Sequence, residues 1–402
     1  MAITRGQLSR ATVGRLTLLG NLYFAQGLPF GFFVQALPAL LRDAGYSLGE
    51  IGLASLLAIP WALKFLWAPF VDRRYWPRLG RRRTWILGMQ LAATLVLGMI
   101  AIAPGSDALP VLMTAMFLLN LIAATQDVAT DGLAVAILPP AERGFANGLQ
   151  VGAYRIGMIM GGGVLLGVYA DHGLHTTFAV MTVLTILSSV PVLVAREPDV
   201  PIEKSGSPHV HFLLRPGAWR LIALVVVYKA GEAFAQGMLR PFLKDRGLDL
   251  HDIAWMLGAV GFTAGTAGAL AGGALVGRIG RRRSLVAFGI GQVITVAGYA
   301  YLAFGTPSYA EIATWLGVEH FASGMATAAL FTSMMDWSRP ESGGTDYTVQ
   351  ASAVVIASGV ASALSGFSAQ ALGYGPHFVV ATVLCAVAIA VVARLYPEEV
   401  SR

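Results

Sequence analysis

The chain has 402 residues, of which 56% are hydrophobic and 12% are charged, whereas soluble domains are about 25% charged. This composition excludes an ordinary soluble protein and indicates a polytopic membrane protein. The single cysteine, Cys385, excludes an internal disulfide.

Long apolar runs follow one another along the whole chain. Each is about 20 residues or longer, the length that a helix needs to cross a hydrocarbon core of roughly 30 Å. Strands of a membrane barrel would instead be about ten residues long with strict alternation. The sequence therefore predicts an all-α transmembrane protein with twelve helices, at about residues 16–41, 49–71, 84–103, 109–138, 144–170, 174–195, 219–243, 252–277, 284–305, 309–337, 345–371 and 375–396.

Loop charges predict the orientation of these helices. If both termini are cytoplasmic, 21 of the 28 Lys and Arg residues lie in cytoplasmic segments, four lie on the opposite side and three lie within spans. Because short cytoplasmic loops carry the excess of Lys and Arg, we predict that both termini are cytoplasmic. The net charge of +6 then reflects topology and contact with lipid headgroups, and no nucleic-acid partner is expected.

The chain contains an internal repeat of about half its length. The string LGRRRT at residues 79–84 recurs as IGRRRS at residues 279–284, an offset of 200 residues. In both copies the string joins the second and third spans of its half. We predict two six-helix halves related by pseudo-two-fold symmetry, at residues 1–195 and 219–402, joined by a cytoplasmic linker at residues 196–218 that is rich in Pro, Gly, Ser and charge.

Several motifs carry a resemblance to a known family. DRRYWPRLGRRR, residues 72–83, resembles the loop motif of the major facilitator superfamily. Four further stretches narrow the resemblance to the branch of AmpG muropeptide permeases, acetyl-CoA transporters and RhtX/FptX-type siderophore permeases. They are LKFLWAPFVD, then ATQDVATDG with LPPAERG and YRIGMIMGGG, then YKAGEAF, and EHFASGMATAAL.

The resemblance covers nearly the whole chain and implies a twelve-helix major facilitator fold. It also implies a secondary active transporter that imports a small organic solute by alternating access, with proton symport expected. GGTDYTVQAS, residues 343–352, is similar to the siderophore permeases and favours a siderophore as the substrate. An anhydro-muropeptide remains the alternative, because muropeptide permeases are members of the same branch.

Three charges in the first half are the predicted coupling site. A charged side chain in the middle of a membrane helix costs roughly 2.5–3.5 kcal/mol on insertion scales, so each one needs a partner or a function. Asp127 and Asp131 are four residues apart and share a helix face. If the fourth and fifth helices turn near Ala141, Arg155 and Asp127 are each 14 residues from that turn. The prediction is an ion pair that either couples proton movement to transport or only fixes helix packing.

A second group of residues is predicted to line the substrate cavity. QGLPFG, residues 26–31, places Gly and Pro in the first span, and a broken helix is tolerated where it lines a cavity. YKAGEAF places two opposite charges three residues apart; they contact substrate or neutralise each other. The predicted cavity residues are Asn21, Gln26, Tyr154, Lys229, Glu232 and Gln350.

Other polar residues have separate predicted roles. Glu319 and His320 form a candidate proton relay in the tenth span, since histidine titrates near neutral pH, although a histidine at a span end can also be interfacial. Lys64 is expected to extend its amine towards the cytoplasmic headgroups. The candidate gating motif, which stabilises one closed state through Arg pairs or a helix N-terminus, comprises Asp72, Arg73, Gly80, Arg81, Arg82, Gly280 and Arg281.

Two other classes of protein were weighed against a transporter. An intramembrane aspartyl hydrolase needs its two acids on facing helices with a Gly-x-Gly-Asp motif, which this chain lacks, so no enzyme activity is expected. A non-transporting membrane sensor on the same fold stays open. We expect a monomer in the bacterial inner membrane, with a small-molecule substrate, protons and the lipid bilayer as its partners and with no cofactor or metal.

Overall fold

The computed structural model describes residues 9–43, 45, 54–103, 105, 108–198 and 212–396. Most of the predicted linker and the beginning of the predicted second span lie outside these residues. Within the described residues, the regular elements are all helical. The predicted all-α class is therefore confirmed.

The helices of the first half are interrupted by irregular turns at several places. In the described residues they are α1 (Arg10–Gly31, the π-helical turn Phe32–Ala36 and Leu37–Asp43), α2 (Ser55–Ala58, Ile59–Leu63, Lys64–Leu66 and Ala68–Arg73), α3 (Arg81–Ile102), α4 (Leu109–Ile137), α5 (Pro140–Ile159 with the π-helical turn Met160–Val164) and α6, the larger part of the helix Leu165–Val194. Gly173 has φ 76° and ψ −178° inside that last helix. The helix is therefore interrupted at Gly173, and α6 begins after it.

The second half repeats this order. Its described helices are α7 (Ala218–Gly237 and Leu239–Asp245), α8 (Leu250–Ala254, the π-helical turn Trp255–Gly261 and Phe262–Ile279), α9 (Arg281–Phe304), α10 (Tyr309–Asp336), α11 (Gly343–Leu372) and α12 (Tyr374–Leu395).

Eight helices in the described part of the chain are long and apolar enough to cross a membrane. One of them, Pro140–Val194, has 55 residues and contains two predicted spans that separate at Gly173. The remaining predicted spans correspond to α1, α2 and α10, which contain irregular turns or several charges. This arrangement is consistent with the twelve predicted spans of a multi-pass membrane protein.

The repeat has the same backbone conformation in both halves. Gly80 has φ 95° and ψ 161°, and Gly280 has φ 90° and ψ 155°. Each precedes the first residue of a long helix, Arg81 or Arg281. Positive φ is accessible to glycine without a Cβ penalty. The two loops therefore turn alike at positions 200 residues apart.

The two halves are held together more tightly at one end of the bundle than at the other. We call this end, which carries residues 73–83 and 278–283, the arginine-rich side. One hydrophobic cluster near it contains residues of both halves, from Leu16 to Tyr396. Towards the opposite side each half has its own cluster, around Phe32 and Phe178 in the first and around Phe242 and Phe378 in the second.

Helices α2, α4 and α5 of the first half pack against α8, α10 and α11 of the second. The closest approach is between α5 and α8. A Cβ added at Gly148 would lie 2.6 Å from the carbonyl oxygen of Ala269, and one added at Gly273 would lie 2.5 Å from that of Gly144. Small residues permit such close packing in membrane bundles. The cavity described next lies between the same helices.

Candidate functional site

A cavity of about 610 Å³ lies between the two halves. It extends from Asp131 and Gln150, nearer the arginine-rich side, to Phe30 and Ala58, nearer the opposite end of the bundle. Seven aromatic side chains of the described residues line it. They are Tyr23, Phe30, Trp61, Tyr154, Phe262, Phe331 and Tyr347. Its ionisable lining, apart from the tyrosines, consists of Lys64, Asp127, Asp131, Arg155 and His320.

Asp127 forms an ion pair with Lys64 of α2 in this cavity. The predicted pair of Asp127 with Arg155 is therefore wrong. So is the expectation that Lys64 extends to the headgroups, because Lys64 is only 3% exposed. Asp131, one turn further along α4, accepts a hydrogen bond of 2.8 Å from the hydroxyl of Tyr23.

The position of one turn explains the error. Helix α4 ends at Ile137 and α5 begins at Pro140, so the turn lies before Ala141. Asp127 is thus ten residues from the end of α4, while Arg155 is fifteen residues into α5. The difference of five residues is about 7 Å along a helix axis. Arg155 consequently lies further from the arginine-rich side than Asp127.

Arg155 has no ion-pair or hydrogen-bond partner among the described residues, yet its side chain lines the cavity. A Cβ added at Gly265 would overlap Nη1 of Arg155. The guanidinium of a first-half residue therefore lies directly against the backbone of α8 in the second half.

Aromatic rings form a continuous wall on the first-half side of the cavity. The ring of Phe30 lies 5.3 Å from that of Trp61 and 5.9 Å from that of Tyr154. Trp61 donates a hydrogen bond of 2.9 Å to Asn120, and the amine of Lys64 lies 5.5 Å from its ring centre. Tyr154 is one of the predicted cavity residues that line this cavity, whereas Trp61 is not among the residues predicted from the sequence.

Two predicted cavity residues of α1 lie elsewhere. Asn21 donates a hydrogen bond of 2.7 Å to the carbonyl of Ser188 in α6. Gln26 donates a hydrogen bond of 3.1 Å to the hydroxyl of Thr130 in α4. Both bonds lie inside the first half. The glycines near Pro29 serve packing instead, since a Cβ added at Gly27 would overlap the carbonyl oxygen of Tyr154. The broken helix therefore brings α1 close to α5 and does not expose its polar residues.

The predicted cavity residues of α7 pair with each other. Lys229 and Glu232 form an ion pair. Glu232 also accepts 2.7 Å from Gln292 and 2.5 Å from Ser323. Neither residue lines the cavity. Lys229 donates a hydrogen bond of 3.1 Å to the hydroxyl of Thr327, and Thr327 lines the cavity.

Gln350 lies inside the second half. Its amide donates to the carbonyls of Met334 and Asp346, both at 3.1 Å. The residue is fully buried and connects the beginning of α11 to the end of α10. Its prediction as a cavity residue is wrong for the same reason as that of Glu232: its polar atoms are used within one half.

Glu319 and His320 lie side by side in α10. Glu319 is fully buried. Its carboxylate accepts a hydrogen bond of 2.8 Å from the amide of Gln236 and one of 3.0 Å from the hydroxyl of Tyr299. The Nδ1 atom of His320 lies 3.0 Å from the same carboxylate oxygen of Glu319. His320 also lines the cavity. The pair thus connects the cavity to a buried acid, and its role as a proton relay stays a prediction.

The first of two polar connections between the halves, which we call the α2–α11 bridge, is centred on Asp72. The carboxylate pairs with Arg82 and accepts 2.7 Å and 2.6 Å bonds from the backbone N–H and the hydroxyl of Thr345. Arg81 donates to the carbonyls of Asp72 and Glu341, at 2.6 Å and 2.5 Å. Asp72 thus joins the gating motif to the first turn of α11.

The loop glycine of this motif has a further contact. The backbone N–H of Arg82 donates 2.9 Å bonds to both carboxylate oxygens of Glu197. A Cβ added at Gly80 would lie 2.8 Å from the same carboxylate. Arg73 ends α2 immediately before this loop.

The second connection, the α5–α10 bridge, is centred on Asp336. Its carboxylate accepts a hydrogen bond of 2.9 Å from Arg143, at the beginning of α5, and one of 2.7 Å from Arg281, which follows Gly280. Arg281 also donates 2.6 Å to the carbonyl of Pro140. Both bridges lie on the arginine-rich side and hold the halves together there.

Three functional residues were missed from the sequence. Lys64 lies eight residues before Asp72, about 12 Å from that end of α2, while Asp127 lies about 15 Å from the end of α4. Counting depth along α2 would have found this pair. Asp336 is not among the residues predicted from the sequence, although it pairs with Arg143 and Arg281 in the structure. Thr345 carried no signal beyond its place in GGTDYTVQAS.

Comparison with known proteins identifies the family. The family model for acetyl-coenzyme A transporter 1 matches residues 15–178, and that for the major facilitator superfamily matches residues 221–402. An uncharacterized protein of Haemophilus influenzae is 31% identical over 377 residues, which cover 88% of each chain. The anhydromuropeptide permease of Escherichia coli K12 is 28% identical over 374 residues, which cover 90% of this chain and 76% of that protein. This chain belongs to the AmpG-like branch of the major facilitator superfamily.

Solved structures show that the fold is that of the superfamily. FucP, a fucose:proton symporter of E. coli solved in an outward conformation, has a TM-score of 0.76 at 14% identity, covering 97% of this chain and 100% of that chain. A bacterial homologue of the iron transporter ferroportin has a TM-score of 0.74 at 17% identity, covering 95% and 99%. At these identities the likeness shows the fold alone, and that fold is the major facilitator fold predicted from the sequence.

Proposed function

We propose that this protein imports an anhydro-muropeptide across the bacterial inner membrane by alternating access, as a monomer and in symport with protons. The observation that carries the proposal is the cavity between the halves, which has an aromatic wall and the Lys64–Asp127 pair, and which is bounded by two polar bridges. The relative most informative about substrate is the E. coli anhydromuropeptide permease.

Alternating access is supported by the uneven contact between the halves. The α2–α11 and α5–α10 bridges lie on the arginine-rich side, which loop charges assign to the cytoplasm. The hydrophobic cluster there is shared by both halves, whereas the opposite side has a separate cluster in each half. This state is therefore closed to the cytoplasm. Breaking the two bridges would let the halves rock apart on that side.

Proton coupling is supported by the charge balance at α4. Asp127 and Asp131 lie one helical turn apart beside a single amine, that of Lys64. One carboxylate is neutralised by Lys64. The second is neutralised most economically by a proton, because an uncompensated charge in a membrane interior is costly. Binding and release of that proton during the cycle would couple transport to the proton gradient.

A muropeptide is favoured over the siderophore predicted from GGTDYTVQAS. In the structure this segment begins α11, where Thr345 binds Asp72 and Gln350 binds Met334. Of its ten residues, Tyr347 and Ala351 line the cavity. The segment therefore has more to do with closing the cytoplasmic side than with substrate choice. Aromatic rings such as Trp61 and Tyr154 suit the apolar faces of sugar rings.

Uptake in cells lacking their own permeases tests the proposal. Labelled anhydro-muropeptide and labelled ferric siderophore are compared, with and without a protonophore. We expect uptake of the muropeptide alone, and its loss when the proton gradient collapses. Uptake of the siderophore alone would replace the substrate; uptake insensitive to the protonophore would remove symport. Binding without flux in the same cells would favour the non-transporting sensor.

A further inference from the structure

Arg155 is a charged side chain in the middle of the bundle that no carboxylate of the described residues contacts directly, although those of Glu232 and Glu319 act on its charge from a distance. Its side chain lines the cavity, and the part of the chain that the structure describes offers it no ion-pair or hydrogen-bond partner. Such a charge inside a membrane protein needs a counter-charge or water. The missing counter-charge is one that a ligand in the cavity can supply.

The other ionisable groups of the cavity, apart from its tyrosines, already have partners. Lys64 pairs with Asp127, and Asp131 accepts a hydrogen bond from Tyr23. His320 lies 3.0 Å from a carboxylate oxygen of Glu319. Arg155 is therefore the cavity cation that is free to bind an anion. Its planar guanidinium can donate two parallel hydrogen bonds to one carboxylate, which a lysine amine cannot do.

The surroundings of Arg155 indicate what kind of molecule carries that anion. The preceding residue, Tyr154, contacts Phe30, which in turn contacts Trp61. An apolar or sugar ring can lie on this aromatic wall while an attached acid reaches the guanidinium. The arrangement fits one ring and one carboxylate in the same solute.

We propose that Arg155 binds a carboxylate of the transported solute, which makes the substrate class ring-bearing carboxylic acids. This inference rests on the proposed function and narrows the range of substrates. Neutral sugars fit the aromatic wall but leave Arg155 without a direct ion-pair partner. It also connects binding to motion. The guanidinium lies against the backbone of Gly265, so a bound carboxylate joins a first-half residue to the α5–α8 contact around which the halves move.

Binding of a matched pair of probes to the purified full-length protein tests the site independently of transport. The probes are N-acetylmuramic acid, a sugar ring with one carboxylate, and its neutral carboxamide. Tryptophan fluorescence reports binding, because Trp61 lines the cavity. A charge-assisted hydrogen bond is worth about 10- to 100-fold in affinity, so the wild-type protein should prefer the acid by that factor.

Arg155→Gln should remove this preference, with affinity for the acid falling to that for the carboxamide and the latter unchanged within about twofold. Arg155→Lys should retain part of it, since the charge remains but the two parallel bonds are lost. A wild-type protein that binds both probes equally, or neither, would overturn the proposal. So would an Arg155→Gln variant that keeps the preference.

Gly265→Ala gives a second variant that keeps every charge. The added methyl group would overlap Arg155 Nη1 and must displace the guanidinium, so preference for the acid should again fall. Gly258→Ala is the matched control in the same helix, because no atom lies within 4 Å of its Cβ position. Equal preference in both variants would count against the proposal.

The two proposals fail separately. Selective binding of the acid through Arg155, without muropeptide uptake in cells, would leave the carboxylate site in place and refute the proposed substrate. Muropeptide uptake that is unaltered by Arg155→Gln, with equal binding of both probes, would support the proposed substrate and refute the carboxylate site.

Discussion

Lys64 and Asp127 form a buried ion pair that contributes to stability and that, in the proposed function, also takes part in transport. Both residues are more than 90% buried, so the loss of either breaks an ion pair inside the bundle. Breaking a buried pair by removing one partner typically costs about 3–5 kcal/mol, whereas removing both together costs less. The pair is therefore well suited to change partners only when a proton or substrate compensates.

Asp127→Asn should abolish accumulation of substrate against a gradient while leaving exchange across the membrane less affected, because Lys64, having lost Asp127, would then hold the Asp131 carboxylate in its charged form and keep it from binding a proton. The same variant should lose roughly 3–5 kcal/mol of stability, and the double variant Lys64→Gln with Asp127→Asn should lose less than the sum of the two single changes. Thermal unfolding in detergent and uptake in cells measure the two effects. Normal accumulation by Asp127→Asn would reduce the pair to a packing element.

At this scale the sequence identified which residues were unusual but not which of them meet. Asp127, Asp131 and Arg155 were found because a charge in an apolar run is costly. Their partners depend on helix depth, and an error of two or three residues at the α4–α5 turn was enough to exchange Lys64 for Arg155. The polar residues of α1 and α7 were misassigned because hydrogen-bond partners inside one half are a property of packing, not of spacing.

Among the helices, α5 and α8 form the closest contact between the halves. Gly148 and Gly273 let their backbones approach so nearly that a methyl group would meet a carbonyl oxygen. Helix packing of this kind is rigid at the contact and allows rotation about it. The contact lies between the cavity and the α5–α10 bridge.

Gly148→Ala should destabilise this closed arrangement by about 1–3 kcal/mol, the usual cost of overpacking. Gly167→Ala is the control, since nothing lies within 4 Å of its Cβ position in the same run of helix. The unfolding temperature of each purified variant measures the effect. Equal temperatures for the two variants would mean that the α5–α8 contact is looser than described.

The α2–α11 bridge predicts how the arginine-rich side opens. Asp72→Asn removes the charge that holds Arg82 and Thr345, and a loss of about 1–2 kcal/mol shifts a two-state population about 5- to 30-fold. A cysteine at Gln150→Cys, in the cavity lining, should then react faster with an impermeant maleimide added on the arginine-rich side.

The background of this labelling is low, because Cys385 is the only cysteine in the chain and is buried. Asp171→Asn is the control, because Asp171 is an exposed acid that lies just before the break at Gly173, at the opposite end of the bundle. If the Asp72→Asn and Asp171→Asn variants are labelled at the same rate, the bridge does not hold the arginine-rich side closed.

Element boundaries followed the sequence well where apolar runs end in charged loops, as at Arg81 and Arg281. They followed it poorly in α2, which is divided into short helical and 3-10 segments. The π-helical turns at Phe32–Ala36, Met160–Val164 and Trp255–Gly261 were not predicted either. Such turns arise where a helix adjusts to its neighbours, and no local pattern of residues specifies them.

For the whole molecule, the repeat of 200 residues predicts two similar halves, and the family resemblance correctly indicated the fold. The state in which the halves are seen could not be predicted, because one sequence encodes every state of a transport cycle and ligands shift their populations. The asymmetry lies in the contacts: a shared hydrophobic cluster and two polar bridges on one side, and separate clusters on the other.

The most direct test of the central claim is flux through the purified protein in proteoliposomes. Labelled anhydro-muropeptide is added outside vesicles that are more alkaline inside than outside. We predict accumulation above the external concentration, its collapse on adding a protonophore, and a rise in external pH when substrate is added without an imposed gradient. Uptake no greater than in protein-free vesicles, or accumulation that ignores the proton gradient, would contradict it.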